Sequence, residues 1–113
     1  MQPEFITISD LDFQHTLRES AQPMLVEFTA EWSGGSHINA PVLQEIARRF
    51  QDKMHFFRVN VEEHRELADA YGVHIIPTLL LLQNGRTEGC MTGPVPRDEL
   101  IGKIENLLTP EKR

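Results

Sequence analysis

Cysteine is almost absent from this 113-residue chain; Cys90 is the only one. A lone thiol excludes an intramolecular disulfide. Basic clusters are missing too: none is longer than Arg48-Arg49, and the formal net charge is −6. That balance lacks the footprint of a nucleic-acid binder, so no nucleic-acid partner is expected. The strongest apolar run, Leu79 to Leu82, is too short to span a bilayer, so no membrane partner is expected either. Met1-Gln2-Pro3-Glu4-Phe5 has neither a basic n-region nor a long apolar h-region, so a cytoplasmic location is expected. The five histidines, His15, His37, His55, His64 and His74, have no metal-ligand spacing. His37 and His74 can approach one another, but two ligands are too few, and neither a metal nor a cofactor is expected.

What is present is ordinary for a globular chain: 40% hydrophobic and 25% charged residues. Residues 1–113 fit a single domain, long enough to bury roughly two thirds of its unfolded surface. Phe5-Ile6-Thr7-Ile8 alternates as a short strand, and Ser9 followed by Asp12 resembles a capping box opening a helix to about Glu19. Met24 to Thr29 is a nearly continuous apolar run, the pattern of a strand covered on both faces. From Gly34 to about Gln51 a helical stripe carries Ile38, Val42, Leu43, Ile46, Ala47 and Phe50, with Pro41 expected to kink the axis.

Met54 to Val61 reads as a strand and His64 to Tyr71 as a helix stopped by Gly72. Thr78 to Leu82 and Arg86 to Thr92 flank the hairpin signal Asn84-Gly85. Pro96 to Leu108 closes as a helix with Leu100, Ile101, Ile104, Leu107 and Leu108 inward. The order is βαβαβαββα. Crossover helices imply parallel early strands and the hairpin an antiparallel pair, hence an α/β fold with a central mixed sheet and helices on both faces.

The central segment is Trp32-Ser33-Gly34-Gly35-Ser36, where the buried strand meets a helix start. With Val26-Glu27-Phe28, Ala30-Glu31-Trp32, Ala40-Pro41, Tyr71-Gly72-Val73, Ile76-Pro77-Thr78, Asn84-Gly85 and Gly93, it resembles the thioredoxin family over nearly the whole chain. Each motif is weak alone; their order and spacing carry the resemblance. The family has Trp-Cys-x-x-Cys at this junction, and both cysteine positions here are serine. The resemblance further implies a cis bond before Pro77 and a buried acid at Glu27, where the family commonly has Asp. It also implies a shallow groove for an extended protein or peptide segment, bordered by Trp32, Gly34, Gly35, Ile76, Pro77, Thr92, Gly93 and Pro94.

Thiol–disulfide exchange proceeds through a mixed disulfide, and a serine hydroxyl cannot form a sulfur–sulfur bond. Ser33 and Ser36 therefore support no oxidoreductase activity, and no catalytic residue is expected in the chain as it stands. Ser33 instead suits the N-cap of the Gly34 helix. Ser36 and His37 project about 100° apart on a helix, which disfavours a nucleophile–base pair. Cys90, on a strand away from the motif, is expected to be inert. Arg58, on the neighbouring strand, is the natural counter-ion for a buried Glu27.

The expected function is binding or chaperoning of a protein partner by a monomeric, redox-inactive domain, through the groove beside Trp32 and Pro77. The alternative is a thiol–disulfide oxidoreductase, a thioredoxin, whose cysteines at positions 33 and 36 were replaced by serine. Cysteines there would make it a protein-disulfide reductase.

Overall fold

Strand β2, Met24–Thr29, organises the molecule because it is paired along both edges. The computed structural model describes residues 6–7, 15 and 22–109. The remaining elements are β1 (Ile6–Thr7), α1 (Gly34–Arg49), β3 (His55–Asn60), α2 (Arg65–Ala70), β4 (Thr78–Gln83), β5 (Arg86–Thr92) and α3 (Arg97–Leu108). The helix expected from Ser9 to Glu19 lies outside the described residues.

The sheet order is β1-β3-β2-β4-β5. β3 runs parallel to β1 and β2, and β4 runs antiparallel to β2 and β5, which is the expected mixed sheet. Alternation along β2 divides its side chains between two cores. Leu25 joins Phe56, Leu79 and Leu81 beneath α1 and α3, while Met24, Val26 and Phe28 join Phe57, Val59 and Leu80 beneath α2. Both faces of the strand are buried, which explains its near-continuous apolar character. Among the described residues, no helix is long and apolar enough to cross a membrane.

Local chemistry sets the element ends. Asn84 and Gly85 both take positive φ, at 54° and 78°, as a tight hairpin requires. Gly72 follows α2 with φ of 70°, a backbone conformation that glycine adopts without steric cost. Tyr71 packs against the core on the α2 side, and burial pushes its phenol above the ordinary tyrosine range.

One expected core position is wrong. Ile38 is not on the inward stripe of α1 but 72% exposed, and the next residue, Asn39, is buried in its place at 3%. Hydrogen bonding explains the exchange. Asn39 Nδ2 donates to the Gly93 carbonyl at 3.0 Å, and Asn39 Oδ1 accepts from the Val95 N–H at 3.0 Å. A polar side chain bonded at both ends is an acceptable interior residue, and the helix turns Ile38 outward to seat it.

Candidate functional site

The site is built where β2 runs into α1. Ser33, extended at φ −83° and ψ 110°, caps the helix, and its Oγ accepts the Ser36 N–H at 3.2 Å. The capping oxygen satisfies one of the donors that a helix start leaves without an intrahelical partner. Ser33 is 4% exposed, so this hydroxyl is turned into the protein rather than offered to solvent. The Ser36 hydroxyl is also buried and accepts from Thr29 Oγ1 at 2.5 Å. Both hydroxyls are thus held in structural hydrogen bonds, Ser33 Oγ to the Ser36 N–H and Ser36 Oγ to Thr29 Oγ1, while the Ser33 carbonyl accepts the His37 backbone N–H at 3.4 Å.

Across from the helix start lies the loop entering β4. The Ile76–Pro77 peptide is cis, and a Cβ on Gly35 would stand 3.0 Å from Pro77 Cδ. That separation is tighter than ordinary carbon contact, so a side chain at position 35 would require Pro77 to shift. The Pro77 carbonyl accepts the Gly93 N–H at 2.9 Å, and Thr92 is the register partner of Thr78. Gly93 takes φ of 78°, and Asn39 ties Gly93 and Val95 to α1. Gly35, Pro77, Thr92 and Gly93 are therefore connected, while Gly34 and Pro94 stand exposed at the two ends of this arrangement.

Two clefts flank the junction. The first, about 390 Å³, lies in front of it and is lined by Trp32, Val61, Ala68, Val73 and Ile76, with Glu62, Arg65, Asp69 and His74 at its polar positions. Trp32 is 67% exposed, and its indole N–H donates to Glu62 Oε2 at 3.1 Å, which fixes the ring against this cleft. The second, about 400 Å³, lies behind Ser36, between α1 and the carboxyl ends of β2 and β3. Glu27, Thr29, Arg58 and Asn60 line it from the strands, with Glu31, His37 and Glu63 among the others.

Glu27 is 2% exposed and sits opposite Arg58 in the β2–β3 register, its Oε1 accepting from Arg58 Nε at 2.8 Å. The pairing expected from sequence is present. A buried carboxylate needs such a partner, since desolvation of an unpaired charge costs several kcal/mol, on the order of 3–5 when a partner is removed.

Several residues considered for chemistry are kept apart. His37 lines the rear cleft with its Nε2 3.2 Å from the Glu31 carbonyl, whereas His74 lines the front cleft. Among the described residues no group of three histidine, cysteine or acidic side chains is placed to hold a metal ion. Cys90 is exposed on β5, away from the helix start. Sequence reasoning missed Ile38, Asn39, Val61, Glu62 and Val73. A hint was available in Val61-Glu62, which directly follows β3, the strand parallel to the β2 that leads into Trp32.

Fold and site together define an α/β protein in which an N-capped helix start faces a cis-proline loop at the end of a mixed sheet. The Thioredoxin family model matches residues 4–106, and the chain belongs to the thioredoxin family. Thioredoxin 1 of Synechococcus elongatus is 34% identical over 101 residues, covering 89% of this chain and 94% of that protein. Thioredoxin of Pseudomonas aeruginosa is 33% identical over 105 residues, covering 93% and 97%. Thioredoxin of Haemophilus influenzae is 36% identical over 101 residues, covering 89% and 94%.

Proposed function

We propose that this thioredoxin-family chain holds an extended segment of a partner protein in the front groove, between Trp32 and Pro77, without exchanging disulfides with it. The observation that carries this reading is the exposed Trp32, 67% accessible and pinned beside a cleft lined by Val61, Val73 and Ile76. A large exposed aromatic next to apolar walls is the composition of a protein-contact anchor. Gly34 and Gly35 leave the helix start without side chains, so a peptide backbone can approach it closely. With hydroxyls at positions 33 and 36 there is no sulfur to attack a disulfide.

The test uses an unfolded probe, reduced and carboxymethylated α-lactalbumin, titrated against the protein. Saturable binding is expected, weakened about tenfold by Trp32→Ala, the scale of a central aromatic anchor. Binding that is absent, or indifferent to Trp32, overturns the reading. Insulin reduction by dithiothreitol should proceed no faster with the protein than without it.

A second reading is carried by a different observation. The Glu27–Arg58 pair still lies behind Ser36, and Pro77 still lies against Gly35. On this reading the chain is a disulfide reductase lacking only its sulfurs, as the relatives named thioredoxin suggest. Ser33→Cys combined with Ser36→Cys should then accelerate insulin reduction. A folded double variant with no activity counts against it.

A further inference from the structure

We infer that the segment held in the front groove has an apolar centre and lysine or arginine on its flanks. This inference rests on the groove reading above and adds the chemistry of the partner. The surface around Trp32 has two unlike sides. One is apolar and uncharged. Ile38 is 72% exposed and shares a helix face with Gly34 one turn earlier, and Ile75, 59% exposed, stands between His74 and Ile76 in the chain. Ile38 points outward because Asn39, the next residue, is buried to clasp Gly93 and Val95. Gly34, Gly35, Ile38, Thr92, Gly93 and Pro94 bring no charge to this side.

The other side is acidic. Glu62 and Asp69 line the Trp32 cleft, and Glu31 and Glu63, their chain neighbours being Trp32 and Glu62, line the rear cleft. All four carboxylates are exposed. Among the described lysines and arginines, Arg65 alone lines the front cleft, and Arg58 behind is committed to Glu27. Among the described residues, His37 and His74 complete the titratable groups lining the two clefts. The two sides meet at the hydrogen bond from the Trp32 indole to Glu62.

The arrangement discriminates between segments. An apolar centre buries the exposed rings and aliphatic groups, and its backbone carbonyls meet the donors at the start of α1. Acidic flanks would then lie within a Debye length, about 10 Å, of like charges, while basic flanks complement them. Rim charges of this kind act on association rate and on choice of partner more than on total affinity.

The experiment compares two peptides with the same leucine–valine–phenylalanine centre, one flanked by two lysines on each side and the other by two glutamates. Trp32, the single tryptophan, reports binding by its fluorescence. At low ionic strength the lysine-flanked peptide should bind at least about tenfold more tightly, and about 0.5 M salt should remove most of that advantage. A Glu31→Gln, Glu63→Gln, Asp69→Asn variant leaves Glu62 on the indole and should remove most of the advantage. An unchanged unfolding midpoint is the control that these exposed changes leave the fold in place. Equal binding of the two peptides overturns the charge inference while leaving the groove reading standing. Failure of both peptides to bind overturns both. A preference for the glutamate peptide, or a lysine preference undiminished in the triple variant, overturns the charge inference.

Discussion

The two clefts beside the start of α1 are nearly equal in size and opposite in construction. The one behind Ser36 contains a half-buried ion pair, Glu27 with Arg58, and a hydroxyl pair, Thr29 with Ser36. The one in front is floored by Val61, Val73 and Ile76 and bordered by an indole that solvent reaches. Glu27 with Arg58 and Thr29 with Ser36 are bonded to one another behind the helix start, so their loss is felt by folding. In front, Trp32 and Glu62 are turned outward, so their loss is felt by whatever they touch. One short junction thus separates structural chemistry from contact chemistry, and substitutions on its two sides should report different quantities.

The largest expected effect lies behind. Arg58→Met removes the counter-ion of a carboxylate that is 2% exposed and should cost about 3 kcal/mol of stability, measured by denaturant unfolding at neutral pH. Because the arginine side chain is itself 40% exposed, the loss should fall short of that for a fully enclosed pair. Adding Glu27→Leu to the same chain should return most of the stability, since an apolar pair of similar volume avoids the desolvation cost. A double variant as unstable as the single one would show that the pair contributes more than mutual neutralisation.

Next comes Asn39→Leu, which restores the apolar helix stripe but leaves the Gly93 carbonyl and the Val95 N–H without their partner. The penalty for stranded groups should exceed the gain in apolar burial, giving a loss of about 1–2 kcal/mol in the same unfolding measurement. Ser33→Ala should lose about 1 kcal/mol, the usual scale for a helix cap, in a thermal or denaturant melt. If Ser33→Ala melts with the unsubstituted protein, the cap is not what fixes the junction.

The smallest effect belongs to the surface. Arg97 bonds Glu45 and Asp98, and it holds the Glu45 carboxyl below its ordinary range. Because the folded value is lowered, the contribution of the pair is present above the ordinary carboxylate pKa and fades as pH falls through the lowered value. Glu45→Gln should therefore change the melting temperature little at neutral pH and not at all at the acid end of a pH series. The exposure of both partners is what keeps the change small.

The elements could be read from the sequence because they follow from local periodicity. β2 shows its burial in a run of apolar residues, the Asn84-Gly85 turn in its pair of residues tolerant of positive φ, and the α1 cap in a serine before the first helical turn. The Glu27–Arg58 pair was legible for a related reason: parallel neighbours in a covered sheet place an interior acid beside the adjacent strand's cation. The exchange of Ile38 and Asn39 was not. On α1 alone, Ile38 fits the apolar stripe and Asn39 does not. The partners that reverse this lie 54 and 56 residues further along the chain. The hydrogen bond between Trp32 and Glu62 spans 30 residues and was equally invisible. Local pattern reveals elements, whereas the contacts that shape a groove between elements depend on tertiary approach.

The Asn39 clasp has one more consequence. Its amide presents to the chain at Gly93 and Val95 one donor and one acceptor, the same complement that a neighbouring β-strand would offer. A helix side chain thereby acts as a one-residue sheet edge for the loop that follows β5. The Val95 amide hydrogen is its gauge: the rate at which that hydrogen trades for deuterium counts how often the loop leaves the helix, and it can be read with no partner in the tube.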